Sequence, residues 1–71
     1  MPRKIRELKS LLLKAGFICE SSKGSHTKWF HPLLSGKLTL SGKDGRDAKP
    51  YQEKDVDSAL KQIAEIEEED A

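Results

Sequence analysis

The chain has 71 residues, 35% of them hydrophobic and 35% charged, with five glycines and three prolines. That length predicts one small globular unit over residues 1–71 and excludes a multidomain enzyme, while the composition suits an ordered, soluble fold. A chain this short buries only roughly 60% of the surface it exposes when unfolded, so a partner or a homo-oligomer has a core to complete. The single Cys19 closes no intrachain disulfide, and no Cys-x-x-Cys pair offers zinc or redox chemistry. The longest aliphatic run is Leu11 to Leu13, and Met1-Pro2-Arg3-Lys4 leads into an amphipathic stretch. No membrane span or export signal is therefore expected, and the expected location is cytoplasmic.

The formal net charge of +1 hides an asymmetry. Residues 1–50 carry eleven Lys/Arg against four Asp/Glu, whereas residues 51–71 carry two against eight. A basic body attracts phosphates, and an acidic closing segment repels them and faces away or masks the basic surface.

Taken in order, Ile5, Leu8, Leu11, Leu12 and Ala15 recur at helical spacing and predict an amphipathic helix over residues 4–15. Gly16 is placed to cap it in the left-handed conformation. Phe17-Ile18-Cys19-Glu20 reads as a first strand, with Cys19 expected to face the core, and Ser21-Ser22-Lys23-Gly24 as the turn after it. Residues 27–31 form the second strand, stopped by Pro32, and residues 37–41 alternate as a third. Residues 42–50 are a polar, glycine-containing loop, after which Val56, Ala59, Leu60, Ile63 and Ile66 mark a second helix. The acidic run over residues 67–70 opposes the negative end of that helix, so residues 67–71 are expected to fray. The order is α-β-β-β-α: an α+β fold with a three-stranded antiparallel sheet, two helices on one face and the other face free.

The most informative stretch is Lys23-Gly24-Ser25-His26-Thr27-Lys28-Trp29-Phe30-His31-Pro32. A glycine turn delivers His26 at the mouth of a strand between two lysines. An imidazole in that setting can take a proton from a ribose 2′-hydroxyl, and Lys23 or Lys28 can stabilise charge on a scissile phosphate. Set against this, a single exposed histidine is ordinarily a spectator. An acid–base pair of His26 and His31 is disfavoured, since strand residues five apart point to opposite faces and sit about 16 Å apart. Alternation puts His26, Lys28 and Phe30 on one face and Thr27, Trp29 and His31 on the other. One of the two aromatics joins the core, and alternation alone leaves open which.

Other chemistries fit less well. Cys19, His26 and His31 lack the paired spacing of a zinc site, so no metal or other cofactor is expected. Gly36 and the Gly42-Lys43 pair have the wrong interval for a phosphate loop, and Asp44 stands where that loop needs Ser or Thr. Ser25 has no orienting partner for a nucleophilic role and is assigned to a turn or phosphate hydrogen bond.

With Gly24-Ser25-His26-x-x-Trp29-x-His31-Pro32 following a helix that ends Ala15-Gly16-Phe17, the chain resembles the HicA family of small bacterial and archaeal toxins over nearly its whole length. The resemblance implies a double-stranded-RNA-binding-domain-like fold, metal-independent cleavage of mRNA, and a HicB-type antitoxin that covers the site. It maps catalysis onto His26, with Gly24 and Ser25 shaping the turn, and Trp29 falls where the family usually has Tyr or Phe. Many members close the third strand with a Pro-x-His element. Here Ser41-Gly42-Lys43-Asp44-Gly45 takes its place, similar to a branch of the family with that glycine-rich loop. Lys43 and Arg46 are then further candidates to hold RNA phosphates, beside Lys23, Gly24, Ser25 and Lys28, although solvating the loop is their ordinary role. Two other readings stay open: a non-catalytic RNA-binding module of the same fold, and a protein-interaction domain that docks through the acidic second helix.

Overall fold

The computed structural model describes residues 2–70. Five elements follow one another: α1 (Ile5–Lys14), β1 (Ile18–Lys23), β2 (His26–Phe30), β3 (Leu38–Ser41) and α2 (Pro50–Asp70). The strands form an antiparallel sheet in the order β1-β2-β3, and both helices pack on one of its faces, as the sequence pattern predicts.

Helix α1 is fixed at both ends. Ile5, Leu8 and Leu12 are fully buried, and their spacing turns one stripe of the helix inward. At its start the Glu7 carboxylate accepts the Lys4 N–H at 3.2 Å. A lysine side chain has no acceptor to complete the reciprocal cap, and the next donors turn elsewhere: Ile5 N–H to the Arg46 carbonyl at 2.9 Å and Arg6 N–H to the Asp44 carbonyl at 3.1 Å. At its end, Phe17 N–H returns to the Leu12 carbonyl and Gly16 N–H to the Leu13 carbonyl, the paired bonds of a Schellman cap. Gly16 makes that reversal at φ +94°, and a Cβ there would lie 3.2 Å from His31 Nε2.

The core lies between the helices and one sheet face. Trp29 and Leu40 from the sheet meet Leu8 and Leu12 of α1, Val56 and Ile63 of α2, and Phe17. Trp29 is 3% exposed, which settles which aromatic of β2 is inside. Its indole N–H donates to Thr27 Oγ1 at 2.9 Å, so the polar edge of the ring is satisfied within the sheet face. Phe30 is half-buried on the other side.

Three local expectations are corrected. First, β1 runs on through Lys23, and the turn is the two-residue Gly24-Ser25 in place of residues 21–24. Register decides this: Lys23 pairs with His26, and Gly24 at φ +61° supplies the positive angle that a tight hairpin needs. Second, the helix and strand bounds shift by a residue at most other ends, as α1 begins at Ile5 and β2 at His26. Third, Cys19 is exposed. It pairs with Trp29, but β1 is an edge strand with a bulge between Cys19 and Ser21.

Helix α2 begins with Pro50, and Gln52 Oε1 accepts the Lys49 N–H at 2.8 Å. The other end of the same buried amide donates to the Ser41 carbonyl at 2.7 Å, so Gln52 ties the start of α2 to the end of β3. Arg3 clamps the opposite side, with Nε on Glu53 at 2.9 Å and Nη2 on Asp57 at 2.8 Å. The Asp57 and Glu53 hydrogen bonds push the Arg3 guanidinium further up from its ordinary range, and the Arg3 bond holds the Glu53 carboxyl below its ordinary value. Of the segment expected to fray, residue 71 lies outside the described residues, and α2 extends to Asp70. Among the described residues no helix is long and apolar enough to cross a membrane.

Candidate active site

The hairpin between β1 and β2 is the centre of the candidate site. His26 is the first residue of β2, exposed and directly after the Gly24-Ser25 turn. Its imidazole makes no hydrogen bond or ion pair among the described residues. It stands in register between Lys23 on β1 and Ser41 on β3. Lys28 follows two positions on, the same side of the strand, and is exposed as well. This is the sheet face that the helices leave uncovered.

The turn is joined to the loop after β3. Gly42 N–H donates to the Ser25 carbonyl at 3.0 Å, and Gly42 adopts φ +116°, where a Cβ would lie 3.4 Å from Ile5 Cγ1. A side chain there would be strained by the angle itself. The loop then crosses the N-terminus of α1, where its carbonyls cap the helix, and Ala48 N–H bonds to the Arg3 carbonyl at 2.8 Å. Lys9 Nζ pairs with Asp44 at 2.6 Å, and Lys4 pairs with Asp47. The glycine-containing segment is thus tied down along its length.

Between turn and loop lies a cleft of about 300 Å³, lined by Ser25, Lys43, Arg46, Asp47, Lys49 and Gln52 among others. The structure therefore brings together Ser25, Lys43 and Arg46, with Lys23, Gly24 and His26 along the same hairpin end. Lys28 does not line the cleft and stands apart on the open face. Sequence reasoning missed Lys49 and Gln52. The signal was present for Gln52, because Pro50 with Gln52 two residues later marks the first turn of a helix whose third residue can reach back to cap it.

His31 has a different place. It is 8% exposed, its Nε2 lies 3.0 Å from the Ala15 carbonyl, and its Nδ1 lies 3.0 Å from the Leu33 N–H. Since an amide can only donate, Nδ1 is the acceptor and Nε2 carries the hydrogen toward Ala15. The ring also meets Phe17 edge to face at 5.0 Å between centroids. His31 is a strut between the end of α1 and the exit of β2, and it does not face His26.

A larger cleft of about 410 Å³ lies at the other end of β3, between residues 34–38 and α2. It holds no histidine, and its Lys37 is already paired with Glu20 at 2.7 Å. Among the described residues no group of three His, Cys, Asp or Glu side chains is placed to hold a metal ion.

Residues 5–64 match the family model described as the HicA toxin of bacterial toxin-antitoxin. The chain belongs to the HicA toxin family. The match starts with the first residue of α1 and ends within α2, so it takes in the sheet, the Gly24-Ser25 turn with His26, and the loop of residues 42–49. No curated protein and no solved structure matches the chain. As a HicA family member, the protein is the toxin half of a toxin–antitoxin pair.

Proposed function

We propose that this HicA toxin is a metal-independent endoribonuclease that cleaves single-stranded mRNA, with His26 as the proton-transfer residue. The observation that carries the reading is the exposed His26 imidazole, without a partner among the described residues, at a tight hairpin whose other side opens on a cleft lined by cations that form no ion pair among those residues. His26 takes the proton of a ribose 2′-hydroxyl, and the 2′-oxygen attacks the adjacent phosphorus. The bond from phosphorus to the 5′-oxygen breaks, and that oxygen takes a proton from water on the open face. The products are a 2′,3′-cyclic phosphate and a 5′-hydroxyl end. Gly24 and Ser25 hold the turn, while Lys23, Lys28, Lys43 and Arg46 supply phosphate contacts and offset negative charge as the phosphorane forms.

The partner on this reading is a HicB-type antitoxin that covers the basic face around His26 with acidic or aromatic groups. A complex in which His26 stays fully accessible would rule out such masking.

The test is cleavage of end-labelled single-stranded RNA with a chelator present, wild type against His26→Ala. Loss of cleavage in a variant whose circular dichroism is unchanged supports the assignment; equal cleavage by both rejects it. One observation favours a second reading, a non-catalytic RNA-binding module: no side chain among the described residues orients the His26 ring. That module binds RNA with an affinity that falls with salt, survives His26→Ala and cleaves nothing.

A further inference from the structure

The loop of residues 42–49 carries three cations and two carboxylates, and the carboxylates are spent. Asp44 is paired with Lys9 and Asp47 with Lys4. Lys43, Arg46 and Lys49 are exposed and form no ion pair among the described residues, yet all three line one cleft with Ser25. Backbone donors nearby are occupied as well: Ile5 and Arg6 N–H are bound by loop carbonyls, and Lys49 N–H by Gln52. What the cleft offers is therefore three side-chain cations and a hydroxyl, beside an Asp47 carboxylate already paired with Lys4. Three like charges held together repel one another until an anion with several acceptor oxygens enters, and a phosphate has that chemistry.

The cleft begins one residue from His26. Ser25 belongs to the turn and lines the cleft, whereas His26, the next residue about 3.8 Å on along the backbone, opens β2 on the sheet face the helices leave uncovered. A nucleic-acid strand passing round the hairpin end would thus meet His26 on one side and the cleft on the other. We propose that Ser25, Lys43, Arg46 and Lys49 form a subsite for one RNA phosphodiester adjacent to the one cleaved, with Lys49 a member that neither charge pattern nor motif had singled out. The proposal rests on the ribonuclease reading for its role, but not for its binding.

Binding is measured first, with a 2′-O-methylated single-stranded RNA that has no 2′-hydroxyl to attack, titrated across salt concentrations. Lys49→Ala should bind about three- to fivefold more weakly, equally for every sequence, and flatten the slope of log affinity against log salt by about 0.7, whereas Lys61→Ala on the far part of α2 should match wild type. Cleavable RNA carrying one uncharged methylphosphonate, moved along the strand, should then show a sensitive position beside the cut, and Lys49→Ala should be less sensitive there than wild type. Wild-type binding with an unaltered slope in Lys49→Ala overturns the subsite and leaves the His26 assignment standing. Cleavage by His26→Ala at the wild-type rate overturns that assignment and leaves the binding result to decide the subsite. No RNA binding by wild type overturns both, and saturable binding of a poly-glutamate peptide in its place would make the cleft a protein-docking surface.

Discussion

The two ends of β2 carry a histidine each, and the comparison teaches what the fold does with the same side chain. At the exit, His31 is buried, with each ring nitrogen committed to a backbone partner and the ring in a T-shaped contact with Phe17. At the entrance, His26 is exposed beside a turn that is itself pinned by Gly42, and its imidazole is uncommitted among the described residues. A ring whose bonds are all satisfied holds structure together, and moving a proton on it would break what it holds. A ring with no such commitment among the described residues is the one that the proposed reaction uses to take a proton.

Substitution should separate the two. His26→Ala is expected to lower RNA cleavage by about 10²- to 10⁴-fold with little change in thermal stability, a contrast readable from cleavage assays and melting curves on one preparation. In the core beneath, Trp29→Ala should cost about 3–5 kcal/mol in chemical denaturation, since the cavity forms where both helices and the sheet meet. His31→Ala should reverse the His26 pattern: about 1–3 kcal/mol of stability is lost as the Leu33 N–H and Ala15 carbonyl lose their partner. A cleavage defect in that variant at temperatures where it is fully folded would break the comparison. Gly16→Ala should destabilise by about 1 kcal/mol or more, because φ +94° and the nearby His31 ring both oppose a Cβ.

The smallest effect should come from the Arg3–Glu53 clamp. Hydrogen bonds from Arg3 lower the Glu53 carboxyl in the folded protein, so its contribution is fully present above the ordinary carboxylate value and is lost as pH falls through the lower folded one. Glu53→Gln should remove that part of the acid sensitivity in melting curves between pH 6 and acid, by roughly what a screened surface pair allows.

Much of this was legible in the residues. The helical spacing of Ile5, Leu8 and Leu12, the Gly16 stop and the three short strands are local signals, and the structure follows them. The position of Trp29 was half legible: alternation separates it from Phe30, but which face the helices cover is decided by packing across the whole chain. The hairpin turn was misplaced because Ser21-Ser22 looks like turn sequence, whereas the backbone pairing of β1 with β2 continues through both to Lys23 opposite His26. Cys19 was misjudged because it lies on an edge strand beside a bulge, which a run of residues does not announce. Around His26, the turn and its flanking lysines were visible in the motif. Lys49 was not, since only the folding of residues 42–49 back over α1 brings it beside Ser25.

The central claim is that His26 moves a proton at the ribose 2′-hydroxyl, and the chemistry of the cut ends tests it most directly. RNA cleaved by the wild-type protein should carry 2′,3′-cyclic phosphate and 5′-hydroxyl termini, resolved by mass spectrometry, and His26→Ala should yield neither. Termini bearing 3′-hydroxyl and 5′-phosphate would contradict the account, because water and not the neighbouring ribose would then be the attacking group.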